Sequence, residues 1–453
     1  MTIDERHGRF ERYAERLLDR ARRHGASGAE VCVEGRLASL TRFADSEIHQ
    51  SVTEDAVRVS LRYVRGRRHG MAVAGRLDDS ALDSLVERAA SNAAGTAETD
   101  DWPGLPEPGP IPEVTGAYAA ATAEATPELR AGVVRDVIAA ADAAGAAASG
   151  SFATGAVTTV VLSSRGVRAA QTRSDAWLVT VHASPGGGTG YAETCAVDVA
   201  HVDGAALGRE AAGKARAGDH PVVLPAGEYP VVLEEYAVAD VLAKLGRFGF
   251  NARAVQDGQS FAQPGLRVAT DLVTVWDDGT DPLGLPTAFD HEGVGKERVS
   301  LIDRGRCDRV VHDTGTAARA GVRSTGHALP APNPVGPLPV NMFMAPGRLS
   351  REELIGRLDR GLLVTRFHYS NPVDPKRGIV TGVTRDGVFL VEHGEIVAPV
   401  RDLRFSQSYP DVLRRVGAVG RDRRTVRGWF GGVPVLGDIT APSVLVDGFR
   451  FSG

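Results

Sequence analysis

The sequence predicts an α+β protein, with a mixed α/β N-terminal domain followed by a β-rich, barrel-like C-terminal domain. Three observations carry this expectation. Residues 1–218 alternate amphipathic helical stretches with runs of alternating apolar and polar residues. After Gly218-Asp219 the texture changes to short β runs broken by Gly, Pro and Asp turns. The chain has 453 residues, 43% of them hydrophobic and 24% charged, which is too long for one ordinary domain and ordinary for a soluble globular protein.

The first element is a helix over 10–24, with Phe10, Tyr13, Leu17, Leu18 and Ala21 at helical spacing and Gly25 as its stop. Short alternating runs follow at Ala29–Val33, Ser46–Val52, Val57–Val64 and Arg68–Ala74, and read as an antiparallel meander. Asp79 is placed to cap a second helix on Leu82, Leu85, Val86 and Ala89. Residues 95–115 are rich in proline, glycine and acid, without periodicity, and read as a linker or long surface loop. Thr126-Pro127-Glu128 opens a third helix through Leu129, Val133, Val137 and Ala140, with proline where a missing N–H costs little. Strands are expected at Ser151–Leu162, Arg168–Ala183 and Tyr191–Ala200, then a helix at Ala205–Ala217. The repeated order of helix, strands and helix points to a loose internal duplication within 1–218. In the β-rich domain, 219–453, two stretches are helical. They are Tyr236–Phe248 and Ser350–Arg360, where Ser350 and Glu353 form a capping box.

Charge and composition exclude some classes of function. The formal net charge of -5 leaves no global basic footprint for nucleic acid. No apolar run approaches the roughly 20 residues that span a bilayer, and the charged N-terminal stretch lacks the apolar core of a secretory signal. Cys32, Cys195 and Cys307 are odd in number and far apart, which fits buried thiols in a reducing cytoplasm.

Hydrolytic motifs fail one by one. No Gly-x-Ser-x-Gly elbow is present; Ser149-Gly150-Ser151 and Ser324-Thr325-Gly326 do not fit it. His291-Glu292 begins a zincin motif that breaks at Gly295. Cys307 and His312 have no third ligand nearby. Gly186-Gly187-Gly188 precedes neither a helix nor a Lys-Ser/Thr pair, so it reads as a hairpin turn rather than a phosphate loop. Asp277-Asp278-Gly279-Thr280 follows an apolar run and reads as an Asx-type turn, or as a site for a cation or an amine. Phe289–Gly293 reads as a solvated turn or as a loop lining a groove.

Several strings recur in a characteristic order. They include Gly28-Ala29-Glu30-Val31, Asp45-Ser46-Glu47-Ile48, Gly258-Gln259-Ser260-Phe261, Asp277-Asp278-Gly279, Phe289-Asp290-His291-Glu292-Gly293-Val294, Ser324-Thr325-Gly326-His327-Ala328 and Gly394-Glu395-Ile396-Val397-Ala398-Pro399-Val400. The chain closes on Ala441-Pro442-Ser443-Val444-Leu445-Val446-Asp447-Gly448-Phe449. Together they resemble the TldD/PmbA family, on its TldE (PmbA) side, over nearly the whole chain.

The resemblance implies a helix carrying His-Glu-x-x-x-His in zinc-bearing TldD chains, with a cysteine near the C-terminus as third ligand. Counted back from Gly258-Gln259-Ser260, the motif falls here on Ala243, Lys244 and Phe248. No histidine lies between His220 and His291, and no cysteine follows Tyr409. Alanine and phenylalanine cannot ligate zinc, and lysine at the base position repels a cation. The resemblance therefore implies a non-catalytic TldE-like subunit without metal of its own. Its zinc-bearing TldD-like partner would complete a heterodimeric peptidase for unfolded peptides or peptide-like natural-product intermediates. Asp277, Asp278, His291, Glu292, Ser324, Thr325 and His327 are the candidates for the wall of the substrate chamber. The alternatives are a stand-alone peptide- or metabolite-binding homodimer descended from a peptidase, and a repurposed enzyme using Asp277, Asp278, His291 or His327.

Overall fold

The computed structural model describes residues 3–98, 102–427, 429–430, 433–434 and 437–452. Helix α1 (Ile3–Arg23) buries Phe10, Ala14, Leu17 and Ala21, spaced three and four residues apart. Strands β1 (Gly28–Ala44), β2 (Glu47–Arg65) and β3 (Arg68–Ala74) follow. The short strands expected at 46–52 and 57–64 are one strand, and β1 runs eleven residues past Val33 to Ala44. The first ten residues of β2, Glu47–Ala56, are solvent-exposed, and the polar Thr53-Glu54-Asp55 hides the continuity of the two runs in the sequence. Asp45 and Ser46 take φ of 49° and 62°, the left-handed pair that a two-residue hairpin needs.

Helix α2 (Asp79–Gly95) is capped by Asp78, whose side chain accepts from Ala81 N, not by Asp79. Asp79 instead pairs with Arg16 and Arg20 of α1. After the short α3 (Ala120–Ala123) comes α4 (Pro127–Ala143), capped by Thr126 as expected. Its buried face is Arg130, Val134, Val137 and Ala141, rotated from the expected one, and Leu129 is exposed. The cause is Arg130, a charged residue on the inner face. Its Nη1 donates to Ala125 O at 2.8 Å and its Nε to Thr41 Oγ1 at 3.3 Å. Strands β4 (Ala147–Ser163), β5 (Arg168–Ala183) and β6 (Thr189–Ala196) and helix α5 (Gly204–Ala217) complete this half.

The N-terminal sheet has the order β3-β2-β1-β4-β5-β6 and is antiparallel throughout. The two halves, each helix, three strands, helix, meet at the central β1–β4 pair. Helices cover one face over two apolar cores. From the other face Cys32, Val161, Val167 and Ala169 pack on Phe289 of the C-terminal domain.

The C-terminal domain begins with β7 (Gly227–Leu233), α6 (Glu235–Phe248), α7 (Ala252–Gln256), β8 (Val275–Asp277), β9 (Val299–Asp303), β10 (Arg306–Cys307), α8 (Thr314–Ala320), β11 (Asn341–Met344) and α9 (Arg351–Ile355). It continues with β12 (Arg360–Asp374), β13 (Ile379–Glu392), β14 (Glu395–Pro399), β15 (Arg404–Ser408), α10 (Tyr409–Leu413), β16 (Val416–Val426), β17 (Trp429–Phe430), β18 (Val433–Pro434) and β19 (Asp438–Ser452). The strands β7, β12, β13, β15 and β19 close into a ring, because β7 pairs with both β12 and β19. The helix expected over 350–360 keeps its capping box but stops at Ile355, where Gly356 follows and Arg360 opens β12. In α6 the expected apolar positions Val238, Val241, Leu242 and Leu245 are buried. Among the described residues, no helix is long and apolar enough to cross a membrane.

Candidate functional site

Helix α6 is buried on nearly every side; from Glu235 to Gly246 only Asp240 is not. Asp240 opens instead onto a cavity of about 570 Å³ between the two domains. Ala239, Asp240 and Lys244 reach the cavity from α6. The alternate residues Val179 and Val181 of β5, and Tyr191 and Glu193 of β6, form the opposite wall. The third wall is Arg366–Asn371 of β12. There the β12–β13 register shifts between His368 and Asn371, and Tyr369 takes φ 49° and is 77% exposed.

Asp240 is fully satisfied. Its Oδ1 accepts from Ser370 Oγ at 2.6 Å and from Lys244 Nζ at 3.1 Å, and its Oδ2 accepts from Tyr409 Oη at 2.8 Å. Burial, followed by the adjacent Asp240 carboxylate, drives the Tyr409 phenol well above its ordinary pKa, so it stays a neutral donor. Glu193 is equally occupied, accepting from Trp177 Nε1 at 2.8 Å, Tyr191 Oη at 2.5 Å and Arg427 N at 2.9 Å. Arg366 forks onto Asp386, with Nε at 2.7 Å, and lies 4.3 Å over the Tyr191 ring. Burial first, then Arg366 and Arg385, lower the pKa of His368, so its imidazole is neutral at pH 7.

This donor set does not fit a divalent metal. The one carboxylate that α6 turns into the cavity already has an ammonium at 3.1 Å, and Glu193 already accepts from three donors. Among the described residues, no group of three or more His, Cys, Asp or Glu side chains is placed to share a metal ion.

The three helix positions counted from the sequence do not share one space. Lys244 lines both the cavity and a small cleft, Phe248 lines only that cleft, with Phe261, Pro372 and Pro375, and Ala243 lies in the core. The seven chamber-wall candidates lie away from this cavity. Asp277, Thr325 and His327 are at most 1% exposed and form a relay. His312 N donates to Thr325 Oγ1 at 2.7 Å, Thr325 Oγ1 meets His327 Nδ1 at 2.9 Å, and His327 Nε2 meets Asp277 Oδ1 at 2.7 Å. Burial and Lys296 lower the His327 pKa, so a neutral ring donates from Nε2 to the carboxylate and accepts at Nδ1. The order resembles a nucleophile–base–acid triad. All three side chains are buried, and the relay ties β8 to the 325–327 loop.

Asp278 makes the Asx turn, accepting from Thr280 N at 2.9 Å and Thr280 Oγ1 at 2.6 Å. Ser324 Oγ donates to His312 O at 3.2 Å. His291 and Glu292 join the domains: His291 Nε2 lies 3.3 Å from Glu34, and Glu292 Oε1 accepts from Arg62 Nη2 at 3.3 Å. Arg62 Nε also lies 3.3 Å from Glu30, beside the buried Asp290. Burial outweighs this pairing. It raises the Glu30 pKa to about 8 and the Asp290 pKa to about 7, helped by Glu292 in both cases. Gly293 is required at this junction: with φ 74°, a Cβ there would lie 2.5 Å from Val167 Cγ1.

Sequence reading missed Asp240, Ser370, Tyr409, Tyr191, Glu193 and Arg366. Two local signals existed, the i,i+4 pair Asp240–Lys244 and the same-face spacing of Tyr191 with Glu193. Ser370 and Tyr409 stand 130 and 169 residues from Asp240 and carry no such signal.

Two family models match the chain. One, described as the PmbA/TldA metallopeptidase C-terminal domain, covers residues 226–453. The other, PmbA/TldA metallopeptidase domain 1, covers residues 29–93. A metalloprotease of Methanothermobacter thermautotrophicus is 28% identical over 214 residues, 46% of each chain. A metalloprotease TldD homolog of Buchnera aphidicola is 28% identical over 219 residues, 48% of this chain and 43% of that protein. The matches thus span less than half the length of these curated relatives. In fold, the chain resembles the crystal structure of TldE from Thermococcus kodakarensis. The TM-score is 0.87 at 20% identity, covering 97% of this chain and 100% of the other.

Proposed function

Because the chain belongs to the PmbA/TldD metallopeptidase family, we propose that it is the non-catalytic, TldE-like subunit of a heterodimeric zinc peptidase. The single observation that carries the reading is the state of Asp240. The acid that α6 presents to the cavity is neutralised by Lys244 and saturated by Ser370 and Tyr409. Three α6 positions that share the cavity, Ala239, Asp240 and Lys244, have the spacing of His-Glu-x-x-x-His, one helical turn before the positions counted from the sequence. On this register both histidines are lost and an internal cation has replaced the second. The zinc would then belong to a TldD-like partner, in the cytoplasm, and the complex would cleave unfolded peptides or peptide-like natural-product intermediates.

A second reading is kept because the cavity itself is well formed: a stand-alone homodimer that binds a peptide or metabolite. Co-expression with a chain carrying His-Glu-x-x-x-His, followed by sedimentation and a peptidase assay, separates the two. The subunit reading expects a complex burying upwards of roughly 2,000 Å², with activity absent from this chain alone. A chain that stays monomeric beside that partner, with no gain of activity, overturns it.

A further inference from the structure

We infer that a second cavity between the domains, walled by β6 and β16, is a binding site for a small zwitterion, of the class of a free α-amino acid with an apolar side chain. It has a volume of about 680 Å³ and shares no lining residue with the cavity beside α6, so it stands apart from the subunit reading. One wall is residues 194–198 at the end of β6, a second is Arg423–Thr425 of β16, and residues 116–119 and 282–284 form the other sides. These segments are tied to one another. The buried Ser174 hydroxyl accepts from Ala119 N at 2.8 Å and donates to Val197 O at 3.0 Å, and Thr425 Oγ1 donates to Leu283 O at 3.1 Å. A cavity whose walls are already fixed needs little ordering when a ligand enters.

The charges of the lining select the ligand. Arg424 is matched by Glu210 at 2.7 Å, but Arg423 and Asp198 have no ion-pair partner among the described residues. They stand on separate elements, and Asp198 uses only Oδ1 on its own turn, accepting from Ala200 N at 2.9 Å. The cavity therefore offers one unmatched guanidinium and one unmatched carboxylate. A lone anion drawn to Arg423 meets the charge of Asp198, and a lone cation meets that of Arg423; a zwitterion answers both. The guanidinium fork suits a carboxylate, and the Asp198 carboxylate suits an ammonium. Tyr118, Thr194 and His201 also face the cavity, and their side chains make no hydrogen bond within the described residues, so they are free to bond the polar ends of a ligand. Burial, then Glu124, raises the Tyr118 pKa, which keeps its phenol a neutral donor. Elsewhere the lining is apolar at Val197, Pro282 and Leu283, the last 56% exposed, a surface for an aliphatic side chain to cover.

The probe is L-leucine, titrated into the purified chain and followed by saturation-transfer difference NMR. Saturable binding is expected below about 10 mM. Isocaproate, which lacks the ammonium, and L-leucinamide, which lacks the carboxylate, should each bind about tenfold more weakly. Arg423→Gln should weaken leucine about tenfold and leave leucinamide unchanged. Asp198→Asn should weaken leucine by about the same factor and leave isocaproate no weaker. Asparagine can still cap Ala200, so circular dichroism of that variant should match the parent. Should either variant unfold, the two analogues on the parent chain decide the matter. No saturable binding of leucine, or binding indifferent to the loss of either end and to both substitutions, overturns the inference. Binding kept in both variants but lost in Val181→Trp would place leucine beside α6 and overturn it as well.

Discussion

Replacing Glu30 with glutamine should stabilise the protein, and increasingly so as the pH rises. Glu30 is 4% exposed between Arg62, Asp290 and Glu292, and its pKa is raised from 4.5 to about 8. Between those two values the folded state holds a proton that the unfolded state has lost. Stability therefore falls as the pH climbs through this window. With roughly 1.4 kcal/mol for each pH unit, the carboxyl costs about 1 kcal/mol at pH 5, about 3 at pH 7 and about 5 at pH 9. Glutamine has nearly the same shape, keeps an acceptor for Arg62 and cannot ionise. Urea unfolding of Glu30→Gln and the parent, followed by circular dichroism at pH 5, 7 and 9, should give curves that nearly coincide at pH 5 and diverge above it. A variant destabilised most at high pH would refute the reasoning. It would show that Glu30 is an ionised partner whose attraction to Arg62 exceeds its burial cost.

Lys244→Met leaves Asp240 as a largely buried carboxylate without its cation, and should cost on the order of 3–5 kcal/mol in urea unfolding. The double variant Lys244→Met/Asp240→Asn should recover most of that loss, and a double variant as unstable as the single one would contradict the pairing. Elemental analysis of the chain purified alone should find no stoichiometric zinc; one tightly held ion per chain would contradict the reading of the cavity. The combination Ala243→His, Lys244→Glu and Phe248→His should yield no zinc-dependent cleavage, since Ala243 faces the core and Phe248 a separate cleft. Appreciable cleavage by that variant would reveal a latent site.

What could be read from the sequence was local and periodic. The apolar spacing of Val238, Val241, Leu242 and Leu245, the Thr126-Pro127 start and the Ser350–Glu353 box all appear in the structure at their expected places. What escaped reading has equally physical causes. The polar, exposed Thr53-Glu54-Asp55 hides that the two runs of β2 are one strand, and Arg130 breaks the apolar face of α4 with a charge. Helix α6 is buried nearly all round, so its apolar spacing marks the core-facing side without showing that the Asp240–Lys244 side meets a cavity rather than solvent. The cavity itself is assembled from β5, β6, α6 and β12, which only the tertiary fold brings together.

The ring of strands closes where β19 meets β7, with Val446 opposite Val231. The two strands are separated by roughly two hundred residues of intervening chain, a pairing of the slow, non-local kind. Helix α6 follows directly on β7, so the scaffold of Asp240 and Lys244 stays half-walled until that distant seam zips. In kinetic terms the closed cavity is expected to form late in folding. A lesion in β19, which touches no cavity residue by sequence, would therefore surface as a lost pocket on an otherwise folded N-terminal domain.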